Sequence, residues 1–223
     1  MPPLVPDNVT AFAETVGPEP DDVLREMQRH AEREAFPIVG PAVGGWLALV
    51  ARMTDASRIF EFGSGFGYSA YWFASVLPAD GEVILTEVDT EELDLARDFF
   101  EGGDLADRAV FEAGDAIETI EAYDGPFDIV LVDNEKGRYI DAFEAVREKV
   151  VPGGVVLADN AMRADPVVDF EDLREIVAGG DSTGASEGTR GIAAYLEAVR
   201  ADPEFETAIL PLGSGVAVSY RVG

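Results

Sequence analysis

Cysteine is absent from this sequence of 223 residues, and histidine occurs once. The lack of cysteine excludes disulfide bonds and thiolate metal sites. The N-terminus shows no basic region followed by an apolar run, and no later apolar run has the length needed to span a bilayer. We therefore expect a cytoplasmic protein that does not cross a membrane. The histidine, His30, falls within a predicted amphipathic helix, where we expect a packing or surface role.

Basic residues are also scarce, with 16 against 44 acidic residues and a net charge of −28. An acidic, lysine-poor chain of ordinary hydrophobic content resembles proteins of salt-loving organisms, in which salt screens self-repulsion. This charge argues against nucleic acid and anionic membranes as partners, although high salt weakens the argument. The only lysines are Lys136 and Lys149. Lys136 lies beside a predicted site, and lysine, unlike arginine, can lose its proton.

A glycine-rich turn follows the first clear strand pattern. The apolar run 59–62 leads into Gly63, Gly65 and Gly67, which let the backbone turn tightly and approach a ligand closely. About twenty residues later a second strand ends in Glu87, where an acid can hold a ribose hydroxyl. The pair predicts a nucleotide-like cofactor at the first turn of a doubly wound sheet.

The spacing of the glycines bears on which cofactor this is. A dinucleotide fingerprint needs a further glycine where Tyr68 stands, which disfavours NAD. The order Glu61-x-Gly63-x-Gly65-x-Gly67 instead resembles the first motif of class I S-adenosylmethionine-dependent methyltransferases. Because short glycine motifs are weak evidence, a turn that merely joins a strand to a helix stays open as the alternative.

Strand and helix patterns alternate along most of the chain. Strands are predicted at 58–62, 82–88, 109–113, 127–132 and 155–158, and helices at 20–35, 41–53, 68–77, 91–100 and 139–150, with a short helix after Gly114-Asp115-Ala116. This alternation predicts an α/β fold, with a mainly parallel sheet and helices on both faces. Two further strands, 206–210 and 215–221, predict a C-terminal antiparallel hairpin and bring the doubly wound sheet to seven strands. We expect one domain over 1–223, with helices of 1–57 covering the pocket of a 58–223 core, and a loop at 179–188.

Polar residues end two of the predicted strands. Asp133 follows the fourth strand, and Asp159-Asn160 follow the fifth. Since neighbouring strands lie about 5 Å apart, both carboxylates could reach one cation, with the amide oxygen of Asn160 as a third ligand. Oxygen ligands favour Mg²⁺, or else Mn²⁺ or Ca²⁺. The alternative is that the acids cap the following helices and Asn160 occupies a turn.

These blocks resemble a known family. Asp133-Asn134-Glu135-Lys136 followed by Tyr139, and Ala158-Asp159-Asn160 after a Pro-Gly-Gly run, look like two signature blocks of metal-dependent catechol and caffeoyl-CoA type O-methyltransferases. Glu61-Phe62-Gly63 with Gly67-Tyr68-Ser69 is similar to their cofactor block. The resemblance runs from about Pro37 to the final hairpin and implies a Rossmann-like methyltransferase fold and a homodimer.

The resemblance also implies roles for individual residues. The metal ligands would be Asp133, Asp159 and Asn160, and Lys136 would be the general base. The S-adenosylmethionine-binding residues would be Glu61, Gly63, Ser64, Tyr68, Ser69, Glu87, Asp115, Ala116 and Asp133, with Glu87 on the ribose and Asp115-Ala116 near the adenine. The chain departs from the family at Ala161-Met162-Arg163, where an apolar and an aromatic residue are usual. The 179–188 tract is a candidate cover for the acceptor.

The predicted function is therefore methyl transfer from S-adenosylmethionine to a hydroxyl of a small, catechol-like or phenolic acceptor, with help from a divalent cation such as Mg²⁺. Three alternatives stay open. Some relatives of the same fold methylate tRNA, which the acidic composition opposes. A non-catalytic S-adenosylmethionine-binding protein would need neither a base nor a cation. An NAD-dependent oxidoreductase is opposed by Tyr68.

Overall fold

A seven-stranded sheet organises the computed structural model, which describes residues 4–223. The strand order is β3-β2-β1-β4-β5-β7-β6. Strands β1 to β5 are parallel, and β7 runs antiparallel to both β5 and β6. The strand bounds are β1 Arg58–Phe62, β2 Glu82–Glu87, β3 Ala109–Ala113, β4 Phe127–Val132, β5 Val150–Ala158, β6 Phe205–Leu210 and β7 Val216–Arg221. The predicted fold class, including the C-terminal hairpin, is confirmed.

Both faces of the sheet are covered by helices. Successive strand residues point to opposite faces, so the strands of a doubly covered sheet must be apolar almost throughout. In β1, Ile59 packs with one buried cluster, while Phe60 and Phe62 pack with the other. The helices of the described residues are α1 Asp7–Val16, α2 Asp22–Glu34, α3 Gly40–Met53, α4 Tyr68–Ala74, α5 Thr90–Gly102, α6 Ala116–Thr119, α7 Tyr139–Val146, α8 Phe170–Val177 and α9 Glu187–Ala201.

Strand β5 departs from its prediction. The sequence places a helix up to residue 150 and a strand from 155, but the helix ends at Val146 and β5 already begins at Val150. Phe127 and Ile129 of β4 pair with Val150 and Val155, so the Pro-Gly-Gly run forms an irregularity inside the strand. Such a bulge accommodates a proline and a glycine that an unbroken ladder would not.

Three helices were not predicted. Helix α1 has no buried residue, and α8 and α9 fill the chain between β5 and the hairpin. Helix α9 begins after Ser186, whose side chain accepts a hydrogen bond from the Thr189 amide, and so its first turn takes up the end of the predicted 179–188 loop. Within residues 4–223 no helix combines the length and the apolar character needed to cross a membrane.

Candidate active site

A cavity of about 730 Å³ opens at the carboxyl ends of the parallel strands. Ligands of open α/β sheets bind at this edge, where the strand order reverses, here between β1 and β4. The lining brings together eleven of the predicted site residues: Gly63, Ser64, Tyr68, Ser69, Glu87, Asp115, Ala116, Asp133, Lys136, Asp159 and Asn160. Glu61 is the predicted residue that the lining leaves out.

The turn after β1 needs glycine because the backbone behind it is close. Gly63 has a φ of 77°, and a Cβ built there would lie 2.9 Å from the Asn134 Cα and from the Asp133 carbonyl oxygen. A side chain would therefore push the β1 turn away from the end of β4. Gly63 of the predicted cofactor motif therefore packs directly against the backbone of Asp133 and Asn134, where a metal ligand is predicted.

Glu87 holds this turn in place. One carboxylate oxygen accepts a hydrogen bond from the Gly65 amide at 2.8 Å. The other accepts from the amides of Val88 and Asp89 at 2.8 and 3.0 Å. Because the side chain also lines the cavity, the candidate ribose ligand and the shape of the glycine turn depend on the same carboxylate.

Glu61 is fully buried behind the cavity wall. It has no exposed surface, its Oε1 accepts a hydrogen bond from the Ser69 hydroxyl, and its Oε2 has no partner. Burial raises the pKa of this carboxyl to about 8, against the lowering effect of the Ser69 hydrogen bond. Ser69 lines the cavity, so Glu61 reaches the candidate cofactor site through Ser69. Its direct contact with a cofactor stays a prediction.

Tyr68 lines the cavity and also contacts the N-terminal helices. Its hydroxyl accepts a hydrogen bond from the Gln28 side chain of α2 at 2.8 Å. The segment that links α2 to α3 contributes Phe36, Pro37, Ile38 and Val39 to the lining. The segment between α2 and α3 therefore borders the cavity, and the expectation that the helices of 1–57 cover the pocket stays a prediction.

Asp115 has two structural partners. Its Oδ1 accepts from the Ile117 amide at 2.8 Å, which caps α6, and its Oδ2 forms an ion pair with Arg138. The hydrogen bond from Arg138 is the main reason that the pKa of Asp115 lies below its ordinary value. Asp115 therefore has a structural role as the cap of α6, while its side chain still lines the cavity.

Arg138 is a cavity residue that sequence reasoning missed. It lies two residues after Lys136, within the block that carries the resemblance, and basic residues are rare in this chain. Those two signals could have identified it. Its ion pair with Asp115 joins the chain after β3 to the chain after β4 across the cavity.

The candidate metal ligands meet at the ends of β4 and β5. The Asp159 amide donates to the Val132 carbonyl at 3.1 Å, continuing the parallel ladder into the site. The Tyr139 hydroxyl donates to the Asp159 carbonyl at 3.1 Å and lies 3.4 Å from Asp133 Oδ1. Asn160 follows with a φ of 55°, a left-handed conformation that asparagine tolerates well.

The negative charges of the Asp133 and Asp159 carboxylates are only partly balanced by hydrogen bonds and ion pairs. Asp159 is 5% exposed, and its Oδ1 has no hydrogen-bond partner. Burial and, to a smaller extent, the charge of Asp133 together raise the pKa of Asp159 to about 7. Burial raises the pKa of Asp133 as well, against the lowering effect of Lys136. An unpaired carboxylate oxygen beside a second carboxylate is costly unless a cation is shared between them.

The donor set fits a hard divalent cation. In the part of the chain that the structure describes, no three histidine, cysteine or acidic side chains form a metal-binding group. The candidate set instead combines the carboxylates of Asp133 and Asp159 with the amide oxygen of Asn160. Oxygen donors of this kind, completed by water or substrate, suit Mg²⁺.

Lys136 lies on a single helical turn, Lys136–Arg138, directly after β4. Its ammonium nitrogen donates to Asp133 Oδ1 at 2.6 Å and to the Asn134 carbonyl at 3.1 Å, and the side chain is 14% exposed. Helix α9 packs against this turn, and a Cβ at Gly191 would lie 2.2 Å from the Lys136 carbonyl oxygen. Because Gly191 has no side chain, α9 can pack directly against the backbone of Lys136.

The remaining lining lies beyond β5. Ala164, Asp165 and Val167 border the cavity there, together with Gly213 and Ser214 of the β6–β7 turn. Over residues 4–223, the lining includes no part of the 179–188 tract. The tract therefore does not line the cavity, whereas the chain directly after β5 does; a role of the tract as a cover for the acceptor stays a prediction.

The fold and this edge of the sheet define a class of protein. A glycine turn after β1, an acid ending β2 and an antiparallel strand β7 beside β5 are the arrangement of class I methyltransferases. The family model described as O-methyltransferase matches residues 15–222. The chain belongs to this O-methyltransferase family, and it is an S-adenosylmethionine-dependent O-methyltransferase.

Individual relatives agree with this assignment. The chain is 30% identical over 173 residues to a catechol O-methyltransferase of Niastella koreensis, covering 75% of this chain and 78% of that protein. It is 25% identical over 219 residues to caffeoyl-CoA O-methyltransferase 2 of Petunia hybrida, covering 93% and 87%. An O-methyltransferase of Bacillus cereus solved with SAH superposes with a TM-score of 0.82 at 24% identity, covering 96% and 97%. At that identity the likeness shows the fold.

Proposed function

We propose that this O-methyltransferase methylates one of two vicinal hydroxyls on a small aromatic acceptor, with a divalent cation held by Asp133, Asp159 and Asn160. The observation that carries this proposal is the buried, unpartnered Asp159 Oδ1 in the cavity that also contains Asp133 and Lys136. Binding of a cofactor alone would not need this costly pair of acids. Relatives whose names specify catechol and caffeoyl-CoA acceptors support the choice of acceptor.

The cofactor half of the cavity lies over β1, β2 and β3. Glu87 is the candidate partner for ribose hydroxyls, and Gly63, Ser64, Tyr68 and Ser69 border the space beside it. When bound, S-adenosylmethionine supplies a methyl group activated on a sulfonium. The chain then contributes mainly orientation, since a fixed donor and acceptor react far faster than free ones.

The acceptor half lies over β4, β5 and the β6–β7 turn. A divalent cation bound there would stabilise the anionic form of an acceptor hydroxyl. The Tyr139 hydroxyl contacts the Asp133 carboxylate and the Asp159 backbone carbonyl, so it holds the ends of β4 and β5 beside each other. Lys136 is the basic side chain nearest these acids, and we assign to its Nζ the removal of the acceptor proton, which requires that Nζ has first released its own proton to solvent.

The alternatives are weaker on physical grounds. An RNA substrate needs a basic surface, whereas the chain has a net charge of −28. The dinucleotide fingerprint of NAD-dependent enzymes needs a glycine at the position of Tyr68. This chain has a tyrosine there, whose hydroxyl accepts a hydrogen bond from Gln28. A non-catalytic role leaves the Asp133, Lys136 and Asp159 arrangement without a purpose.

The acceptor proposal is tested with isomeric diphenols. The wild-type enzyme, Mg²⁺ and a labelled methyl donor are incubated with catechol, resorcinol and hydroquinone, which share composition and differ in hydroxyl spacing. We expect product from catechol and at least tenfold less from the two isomers, because only vicinal oxygens can share one cation. Equal methylation of all three isomers would contradict the vicinal-hydroxyl proposal.

A further inference from the structure

We propose that Arg138 is a binding residue for the cofactor, and that its guanidinium stacks on one face of the adenine of S-adenosylmethionine. Dependence on this cofactor follows from the family to which the chain belongs. The inference rests on the proposed function only for the direction in which the cofactor lies, because the methyl group must point to the acceptor half of the cavity.

The order of the strand ends sets the position of the adenine. Strands β3, β2, β1 and β4 are neighbours in that order, and the acceptor half begins at β4. The candidate ribose ligand, Glu87, ends β2. The sulfonium and the base are attached to opposite ends of the ribose, so a methyl group directed towards β4 leaves the adenine on the β3 side. Asp115 follows β3 and lines the cavity there.

Arg138 reaches this end of the cavity although it follows β4. Its guanidinium forms an ion pair with Asp115, and both side chains line the cavity. Lys136, two residues earlier on the same single turn, pairs instead with Asp133 in the acceptor half. Because a 3₁₀ turn holds about three residues, positions two apart point in different directions. One turn therefore serves both halves of the cavity.

The two walls of the adenine end come from opposite faces of the sheet. Val88 precedes α5, whose Leu93 packs in the buried cluster of one face, and Arg138 precedes α7, whose Phe143 packs in the other cluster. Val88 lines the cavity and is 71% exposed, so it offers a bare apolar surface next to Glu87. A flat base fits between an apolar side chain and a planar guanidinium, since both make contact through the ring face.

The ion pair orients the guanidinium without using its faces. Arg138 Nη1 donates to Asp115 Oδ2, and Asp115 is itself fixed because its Oδ1 accepts from the Ile117 amide at 2.8 Å. The N–H groups of arginine lie in the plane of the guanidinium, so this pairing leaves the faces to a ring. The Arg138 side chain is 38% exposed, and a stacked adenine would cover part of that surface.

The test measures binding rather than turnover, so it needs neither metal nor acceptor. S-adenosylhomocysteine and S-ribosylhomocysteine, which lacks the adenine, are titrated by calorimetry into the wild type and Arg138→Gln, the weaker ligand by displacement. Glutamine keeps a hydrogen-bond donor for Asp115 but loses the charge and the guanidinium face. We expect the affinity for S-adenosylhomocysteine to fall roughly three- to tenfold, and that for S-ribosylhomocysteine to stay within about twofold of the wild type.

Arg147→Gln is the matched control. Arg147 forms an ion pair with Asp202 at 2.7 Å and its side chain is 34% exposed, and among the described residues neither partner belongs to the cavity lining. Both ligands should bind this variant as they bind the wild type. A second variant, Arg138→Lys, keeps the charge and a donor for the ion pair, so its loss of affinity for S-adenosylhomocysteine should be smaller than that of Arg138→Gln.

Two results would overturn the inference. The first is an unchanged affinity of Arg138→Gln for S-adenosylhomocysteine. The second is an equal loss for both ligands, which would leave Arg138 as a tether between α6 and the turn before α7. The proposed function is judged separately by the diphenol assay, because the pattern over the three isomers does not depend on how tightly the cofactor binds.

Discussion

Lys136 is the residue whose chemistry is most open to experiment. Its ammonium group donates to Asp133 at 2.6 Å and lies 5.1 Å from the centre of the Tyr139 ring. The same contacts suit a base awaiting its substrate and a countercharge that only balances Asp133. The two roles differ in one property, because a countercharge needs only to stay positive, whereas a base must lose its proton.

Lys136→Arg separates these roles. Arginine keeps the charge and the ability to pair with Asp133, but it does not deprotonate at working pH. If Lys136 is the base, the methylation rate should fall roughly 10²- to 10⁴-fold, with the affinity for S-adenosylhomocysteine in calorimetry little changed. The matched control is Lys149→Arg, since the other lysine donates to the Ile120 and Tyr123 carbonyls outside the cavity lining. Near-normal turnover by Lys136→Arg would leave Lys136 as a countercharge.

The sequence predicts some of these residues far better than others. Asp133 and Asp159 could be placed together because parallel strands end at one edge of a sheet. The contact of Arg138 with Asp115 could not be predicted in this way, since Asp115 follows a strand three positions away in the sheet order. Contacts between distant segments depend on side-chain directions that a single sequence does not reveal.

At the scale of elements, strand β1 and helix α4 are joined through a buried polar contact. Glu61 of the strand accepts a hydrogen bond from Ser69 of the helix, and both lie inside the apolar packing that holds the two elements together. A fully buried acid in this position makes stability depend on pH. The folded state holds the proton to a pH at which the unfolded chain has already lost it.

Glu61→Gln tests this coupling. The folded-state pKa of Glu61, about 8, exceeds its ordinary value of 4.5, so the folded state binds more protons between these values. The stability of the wild type should therefore fall as pH rises through this window, by up to about 1.4 kcal/mol per pH unit. Denaturant unfolding should show a smaller fall in Glu61→Gln, which keeps a polar group for Ser69. Glu197→Gln, on the exposed side of α9, is the control and should keep the wild-type slope. Equal slopes in all three proteins would contradict the assignment.

Secondary structure was predictable where apolar patterns are bounded by turns. Strands β1, β3 and β4 have their predicted bounds. Helix α9 was missed because its N-terminal turn reads as part of a glycine-rich loop, although Ile192, Tyr195, Leu196 and Val199 form its buried face. The start of β5 was missed because a Pro-Gly-Gly run usually ends a helix or strand. Here the run forms a bulge in β5 opposite β4, and the strand continues on both sides of it.

At the scale of the whole molecule, the net charge of −28 dominates long-range interactions. Like charges repel in the folded state, and salt screens this repulsion. The expected halophilic character, cytoplasmic location and homodimer all stay predictions. The charge by itself nevertheless has a measurable consequence for stability.

The melting temperature should rise with ionic strength. Between about 0.1 M and 1 M KCl the Debye length falls from about 10 Å to about 3 Å, which weakens repulsion between neighbouring carboxylates. We expect an increase of several degrees in calorimetry. Chloride is used because sulfate stabilises proteins by exclusion from their surface, whatever their charge. A melting temperature that stays constant or falls over this range would contradict the repulsion argument.

The central claim is that Asp133, Asp159 and Asn160 bind a divalent cation on which methyl transfer depends. The direct measurement is turnover of catechol by enzyme stripped with EDTA, before and after Mg²⁺ is returned, alongside Asp159→Asn. The account predicts that stripping abolishes turnover, that Mg²⁺ restores it more fully than Zn²⁺, and that Asp159→Asn stays inactive while it binds S-adenosylhomocysteine. Full turnover in EDTA, with no divalent metal in elemental analysis, would contradict the account and leave the two aspartates as structural residues of the strand ends.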